Sequence, residues 1–426
     1  MSTGQPGTMR NSGTIPIQRI EFVDPPSVNH TVLAGGIPLY TMSGGVEPVL
    51  HLEMIFRAGK GHERHRAASH ATAALISEGT AAMNSRQIAE HMDFYGATLR
   101  VTTGVDAMSV SLYCMARMLE PTLDLLTKLL VEAVFPESEL AIYKQNRIQK
   151  IRIAMEQNET IANKRISESM FGTHVYGQTT VSEDVAGLTR DHVLEHYQLL
   201  GYENLTVFLS GQVQDAHLRL VEAACARLKA GAPPRSYGPP HPQEVSFQRI
   251  KGPQAYQSAI RMGRQVVGRR HPDFAALFLL NAVLGGFFGA RLMRNIRERQ
   301  GLTYGIYSTI ETLVKGACLI ISTEAAVDKS DRVIAEIHKE ISRLQEELVS
   351  DEEFEMVRNY LMGTLLMQLD GPLRSMDMIK TMIMESLDEA YFREFVRRIR
   401  ETSAEDVRNA AQEYLAIPNM HTVIVG

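Results

Sequence analysis

Cysteine is scarce in this chain, and the few present lie far apart: Cys114, Cys225 and Cys318 are the only three in 426 residues, with no C-x-x-C pair. An odd count at such spacing excludes a disulfide scaffold and a zinc ribbon, and it suits a reducing compartment. An excess of basic charge is missing too. The formal net charge is -5 with no basic stripe, which argues against nucleic acid or an anionic membrane as a principal partner. No apolar run reaches the roughly 20 residues needed to span a bilayer. Residues 1–19 are polar and rich in Gly, Ser and Thr, with neither an apolar h-region nor an Arg-rich amphipathic leader. These absences predict a soluble, cytoplasmic protein with a disordered tail over 1–19. What is present is apolar content, 44% against 22% charged, enough for more than one core in a chain of this length.

Slid against itself by about 210 residues, the sequence echoes. Met108, Val110 and Leu112 alternate as in a strand and lead into a helix with Leu119, Leu123, Leu126 and Leu130 on one face; Cys318 to Ser322 and Val333 to Leu344 repeat that rhythm. Tyr95-Gly96 falls opposite Tyr304-Gly305. Thr189 and Ser403 each cap a helix that leads to a closing strand, Leu205 to Leu209 and Thr422 to Val425. Ser350-Asp-Glu-Glu353 reads as a capping box whose counterpart begins near Pro136. The Pro/Gly-rich stretch 229–243 forbids regular structure and reads as a linker. The expected fold is therefore α+β, with two homologous halves over 20–228 and 244–426, each an antiparallel sheet covered on one side by helices. The Met-rich segment Met376 to Met384 reads as core, with a peptide-accepting surface as the alternative.

His70-Ala-Thr-Ala-Ala74, just ahead of Gly79-Thr80, stands in the register of H-x-x-E-H. In that signature two histidines four apart share one helix face, and the glutamate between them activates water. Here only His70 remains, since Ala73 offers no carboxylate and Ala74 no imidazole. His62 and His65 lie three apart in an apparent loop, fit neither H-E-x-x-H nor H-x-x-E-H, and read as solvated surface residues.

With these residues the chain resembles the insulinase/pitrilysin-type (inverzincin) zinc metallopeptidases, from about His30 to Gly426. Ala34-Gly-Gly-Ile-Pro-Leu-Tyr40, Phe56-Arg-Ala-Gly59 with Glu63, and the Gly201 to Gly211 strand are similar to that family's elements in family order. The densest likeness is Leu284 to Leu292 running on through Ile296-Arg-Glu-Arg-Gln-Gly-Leu-Thr-Tyr304. The resemblance implies that Arg297 and Tyr304 hold the positions of the family's substrate-orienting arginine and tyrosine. Such donors stabilise charge on a peptide carbonyl oxygen. It also implies a third metal ligand some 75 residues beyond the motif, which lands near Gln149, among Lys144, Arg147, Lys150 and Arg152.

The resemblance thus implies a half-length, bacterial-type member with a degenerate metal site (His70, Ala73, Ala74, Gln149), holding no zinc and inactive alone. Its expected role is the non-catalytic subunit of a heterodimeric zinc metallopeptidase that acts on peptides. Arg297 and Tyr304 would then serve a homologous H-x-x-E-H-bearing partner that carries the zinc. The isolated chain could form a homodimer. The alternative is a catalytically dead scaffold or peptide-binding homologue, resembling core subunits of a respiratory complex.

Overall fold

The computed structural model describes residues 23–25 and 27–426, so the tail expected over 1–19 lies outside the described residues. In chain order the first half carries β1 (Asn29–Leu33), β2 (Ile37–Ser43), β3 (Val49–Phe56), α1 (Ala68–Leu75), α2 (Ser85–Phe94), β4 (Thr98–Thr103), β5 (Met108–Met115), α3 (Leu119–Glu132), α4 (Glu137–Ala154), α5 (Asn158–Phe171), α6 (Ser182–Ala186), α7 (Arg190–Tyr197), β6 (Leu205–Gly211) and α8 (Asp215–Cys225). The second half carries β7 (Phe247–Ile250), β8 (Gln257–Val266), α9 (Phe274–Leu284), a π-helical turn (Met293–Arg299), β9 (Thr303–Leu313), β10 (Gly316–Ala326), α10 (Ser330–Glu346), α11 (Asp351–Gln368), α12 (Gly371–Met384), α13 (Glu389–Glu401), α14 (Ala404–Tyr414) and β11 (His421–Val425).

The internal echo is visible in the sheets. One runs β1-β2-β6-β3-β5-β4 and the other β7-β11-β8-β10-β9, the same order once β1 is set aside. Met108, Val110 and Leu112 of β5 are buried, as are the leucines of α3 and the Val333, Ile337, Ile341 and Leu344 stripe of α10. Thr189 and Ser403 cap α7 and α14 by accepting from His192 N and Asp406 N. At α11 only half of the expected capping box forms. Ser350 Oγ accepts from Glu353 N at 3.3 Å, but the Glu353 carboxylate turns to Arg291 and Arg294 instead, at 2.8 and 3.2 Å. A charged partner outcompetes a backbone amide for that carboxylate.

The α+β architecture with two like halves is present, and two details differ from expectation. Each sheet is mixed, since β6 runs parallel to β2 and β11 parallel to β7 while the other pairs are antiparallel. Long helical connections carry the chain across before these strands are laid down, as a parallel pairing requires. Nor is the second face of each sheet left wholly to solvent, because the halves exchange helices. Helix α5 packs on β8 and β11 of the second sheet, and α12 packs on β6 and β2 of the first. Val207 and Leu209 of β6 face the first half's own core, while Phe208 between them joins the core that holds Met376 and Ile379 of α12. Ala162, Ile166 and Met170 of α5 pack likewise on Cys318, Val423 and Val425. The Met-rich helix is thus core, as the sequence reading favoured.

Polar residues follow the exchanged helices. On β3, Glu53 is buried and meets Lys380 of α12 at 2.5 Å, with Asp377 on the same ammonium at 2.9 Å. On β8, Arg261 is 2% exposed and meets Asn163 and Glu159 of α5 at 2.7 and 3.3 Å, with Glu324 at 2.8 Å. In the first junction the sheet supplies the acid; in the second it supplies the base. The three cysteines are free and buried.

Candidate functional site

Helix α1 begins where Ala67 turns into the left-handed region, at φ 71°. The amides that open a helix have no carbonyl within it, and Glu63 supplies acceptors: Oε1 takes Ala67 N at 3.2 Å and Oε2 takes Ser69 N at 3.0 Å. Burial pushes the Glu63 carboxyl up while these amides pull it down. His70 points from α1 to α4, its Nδ1 2.9 Å from the Tyr143 hydroxyl. Burial lowers its pKa, and the charges of Arg147 and then Lys150 lower it further, so the ring is neutral at pH 7. Burial pushes the Tyr143 hydroxyl up to about 12. Arg147 keeps its Nε buried without a hydrogen-bond partner.

Ala73 is buried and Ala74 half-buried, and each brings only a methyl group. Gln149 is exposed on α4, while the groups of that helix acting on His70 are Tyr143, Arg147 and Lys150, four and three residues apart in succession. Those spacings mark one helix face and could have been read from the sequence. A catalytic zinc needs several nitrogen, oxygen or sulfur donors around an open position. One neutral imidazole tied to a tyrosine, two methyl groups and a pair of cations do not fit that ion.

Among the described residues, one cluster does bring three metal-capable groups within 4.8 Å of one another, namely His51, Glu53 and Asp377. The Lys380 ammonium already sits against both carboxylates and supplies the positive charge. His62 and His65 are less solvated than their sequence context suggested. His62 has Nδ1 2.7 Å from Arg235 O and Nε2 3.0 Å from Asp106 O. His65 lies 3.0 Å from Glu195 Oε2 and stacks on His192 at 3.7 Å. Tertiary contacts from distant segments tie both rings down, which local sequence cannot show.

The second half is different in kind. Arg297 lies on the π-helical turn, closed by a bond from Gln300 N to Asn295 O at 3.1 Å; such turns recur at functional sites. Neighbouring Arg291 and Arg294 are paired with Glu353, but among the described residues Arg297 makes no ion pair or side-chain hydrogen bond. Its guanidinium carbon lies 4.8 Å from the Phe288 ring centre, a cation–π contact that leaves its donors available. Gly301, at φ 61°, reverses the chain into β9, where Tyr304 is 91% exposed on the edge strand of its sheet. The turn thus holds Arg297 and Tyr304 on one segment. Neither contacts His70, which belongs to the other half.

Residues 187–361 match the family described as peptidase M16 inactive domain. An uncharacterized zinc protease of Bacillus subtilis is 21% identical over 349 residues, covering 79% of this chain and 85% of that protein. One from Rickettsia bellii is 23% identical over 355 residues, covering 80% and 83%. Among solved structures, a peptidase M16 inactive domain from Pseudomonas fluorescens superposes with a TM-score of 0.86 at 22% identity, covering 94% of this chain and 98% of that one. A protease from Helicobacter pylori gives 0.87 at 15% identity, covering 94% and 99%. In fold these structures are alike. This chain is thus similar in sequence to proteins named as zinc proteases and in fold to M16-type peptidases, with residues 187–361 matching the inactive domain of that family.

Proposed function

We propose that this chain is the non-catalytic, substrate-orienting subunit of a heterodimeric zinc metallopeptidase that cleaves peptides. The zinc and the water-activating glutamate belong to a homologous partner bearing H-x-x-E-H. Arg297 and Tyr304 are donors, in trans, to the backbone or carbonyl oxygen of the bound peptide. The carrying observation is the contrast between a metal position closed by His70, Tyr143 and Arg147 and a donor pair that the fold itself does not use. The exchanged helices add support. With α5 and α12 each packed on the other half's sheet, the two halves are tied together, which supports opening and closing between two chains over motion within this one.

The test is co-expression with an H-x-x-E-H-bearing homologue and assay of peptide cleavage by the pair. Cleavage by the pair but not by this chain, lowered by Arg297→Ala, is expected. A stable homodimer of this chain that binds peptides and gains no activity from any such partner would favour the scaffold reading.

A further inference from the structure

A groove of about 730 Å³ lies where the two halves and the linker meet, away from both His70 and Arg297. It is lined from the first half by Arg57 and the β4–β5 hairpin, from the linker by Arg235, and from the second half by Lys315 of the β9–β10 hairpin. The walls are fixed by hydrogen bonds. Asp106 Oδ1 accepts from the hydroxyls of Tyr176, at 2.8 Å, and Tyr237, so one carboxylate ties the first half to the linker. Lys315 N donates to the Tyr176 hydroxyl at 3.0 Å, and His62 Nδ1 meets Arg235 O at 2.7 Å. The backbones of Arg235 and Lys315 are thereby pinned.

Their side chains are not. Among the described residues the charged ends of Arg235 and Lys315 have no hydrogen-bond or ion-pair partner, and Arg57 reaches only the Glu203 carbonyl at 3.5 Å. The other charges on the walls are accounted for. Lys380 is met by Glu53 and Asp377, and Glu385 by Arg269 at 3.1 Å. Asp106 is the one lining carboxylate without a cation, and its charge is turned to the two tyrosine hydroxyls. Three positive groups from three parts of the chain therefore surround a groove whose remaining surface includes Ile55, Leu313 and Met384. All three are exposed and leave donors open to an anionic ligand.

We propose that this junction groove binds a small organic anion, its carboxylate or phosphate groups held by Arg57, Arg235 and Lys315 and its carbon skeleton lying on the apolar floor. Such a ligand touches both halves and the linker at once, so its binding stabilises their junction. The site does not depend on the peptidase reading, and its test needs no partner.

Citrate and inorganic pyrophosphate serve as probes, titrated calorimetrically into the full chain at constant ionic strength, with thermal unfolding recorded alongside. At least one probe is expected to bind and to raise the melting temperature above that in matched sodium chloride. Arg235→Ala and Lys315→Ala should each weaken binding about ten-fold, which is about 1.4 kcal/mol. The double variant should lose the thermal shift while Lys251→Ala, elsewhere on the surface, keeps it. A response confined to one probe assigns the site to that acid group. Failure of both probes, or a double variant that binds as well as the parent, would overturn the proposal. Far-UV circular dichroism checks that the variants fold.

Discussion

Helices α1 and α9 occupy the same place in their two halves, yet they use it differently. Helix α1 packs on α4 and α7, and α9 packs on their counterparts α11 and α14. Along α9, Phe-Ala-Ala-Leu-Phe-Leu-Leu-Asn-Ala-Val-Leu is almost wholly apolar and buried, which is the composition of plain core. Helix α1 keeps Ser69, His70 and Thr72 and is capped by a buried glutamate. Polar side chains therefore concentrate on one of the two equivalent helices. In the present sequence Glu63 is bound to backbone and His70 to Tyr143, while Arg297 and Tyr304 of the other half keep donors that the fold does not use. Two equivalent frameworks thus separate the residues that maintain the fold from those available for a ligand.

The largest test of that separation is on cleavage. In the proposed pair, Arg297→Ala should lower kcat by about 10²–10³-fold, the cost expected where a preorganised oxyanion donor is lost, with no change in melting temperature. His70→Ala should leave kcat unchanged. Equal losses from the two variants would erase the contrast between the halves.

Next in size are the reciprocal junctions. Arg261→Ala removes a buried guanidinium that binds Asn163, the carbonyls of Ile260 and Thr323, and two carboxylates. It should cost about 3 kcal/mol in urea unfolding. Lys380→Ala leaves Glu53 with the Ser109 hydroxyl as its remaining side-chain partner and should cost about 2 kcal/mol. Loss of one half's unfolding transition with retention of the other's would show that the exchanged helices do not couple the halves.

The largest pH response comes from the first half. Burial pushes His196 down to about 4, and its Nε2 sits 2.8 Å from Ala58 O. An unfolded histidine takes a proton near pH 6.5, so the unfolded state binds more protons between pH 6.5 and about 4. Stability is full above that window and is lost as the pH falls through it, by about 3 kcal/mol. His196→Gln should flatten the profile of urea midpoint against pH. His51, His70, His338 and His421 are depressed in the same direction and leave a residual slope.

How far the sequence disclosed this depends on whether the information is local. Thr189 and Ser403 announce helix starts because a cap is chosen within one turn. The Arg297–Tyr304 turn is likewise written in adjacent residues. The sheet that receives α5 or α12 is not, since an apolar helix face carries no address. The burial of Glu53 and Arg261, polar residues in strands expected to have a wet face, follows from that exchange and was hidden with it. The α4 position opposite His70 falls between these cases. Counting forward from Ala74 gives Gln149, whereas the helical spacing of Tyr143, Arg147 and Lys150 gives the face that the structure turns toward α1.

The smallest effect separates two tyrosines. Tyr143→Phe removes a hydroxyl bonded to His70 in a half-buried setting and should cost about 1 kcal/mol, the usual net worth of such a bond. Tyr304→Phe removes a hydroxyl from a side chain 91% exposed and without a hydrogen-bond partner among the described residues, so stability should stay within about 0.5 kcal/mol. Activity of the pair should respond in the opposite order, with Tyr304→Phe lowering kcat and Tyr143→Phe leaving it alone. Parallel urea titrations and peptide assays of the two variants measure this directly. A Tyr304 variant that loses stability instead of turnover would place that residue among the supports of the fold, leaving Arg297 as the sole donor.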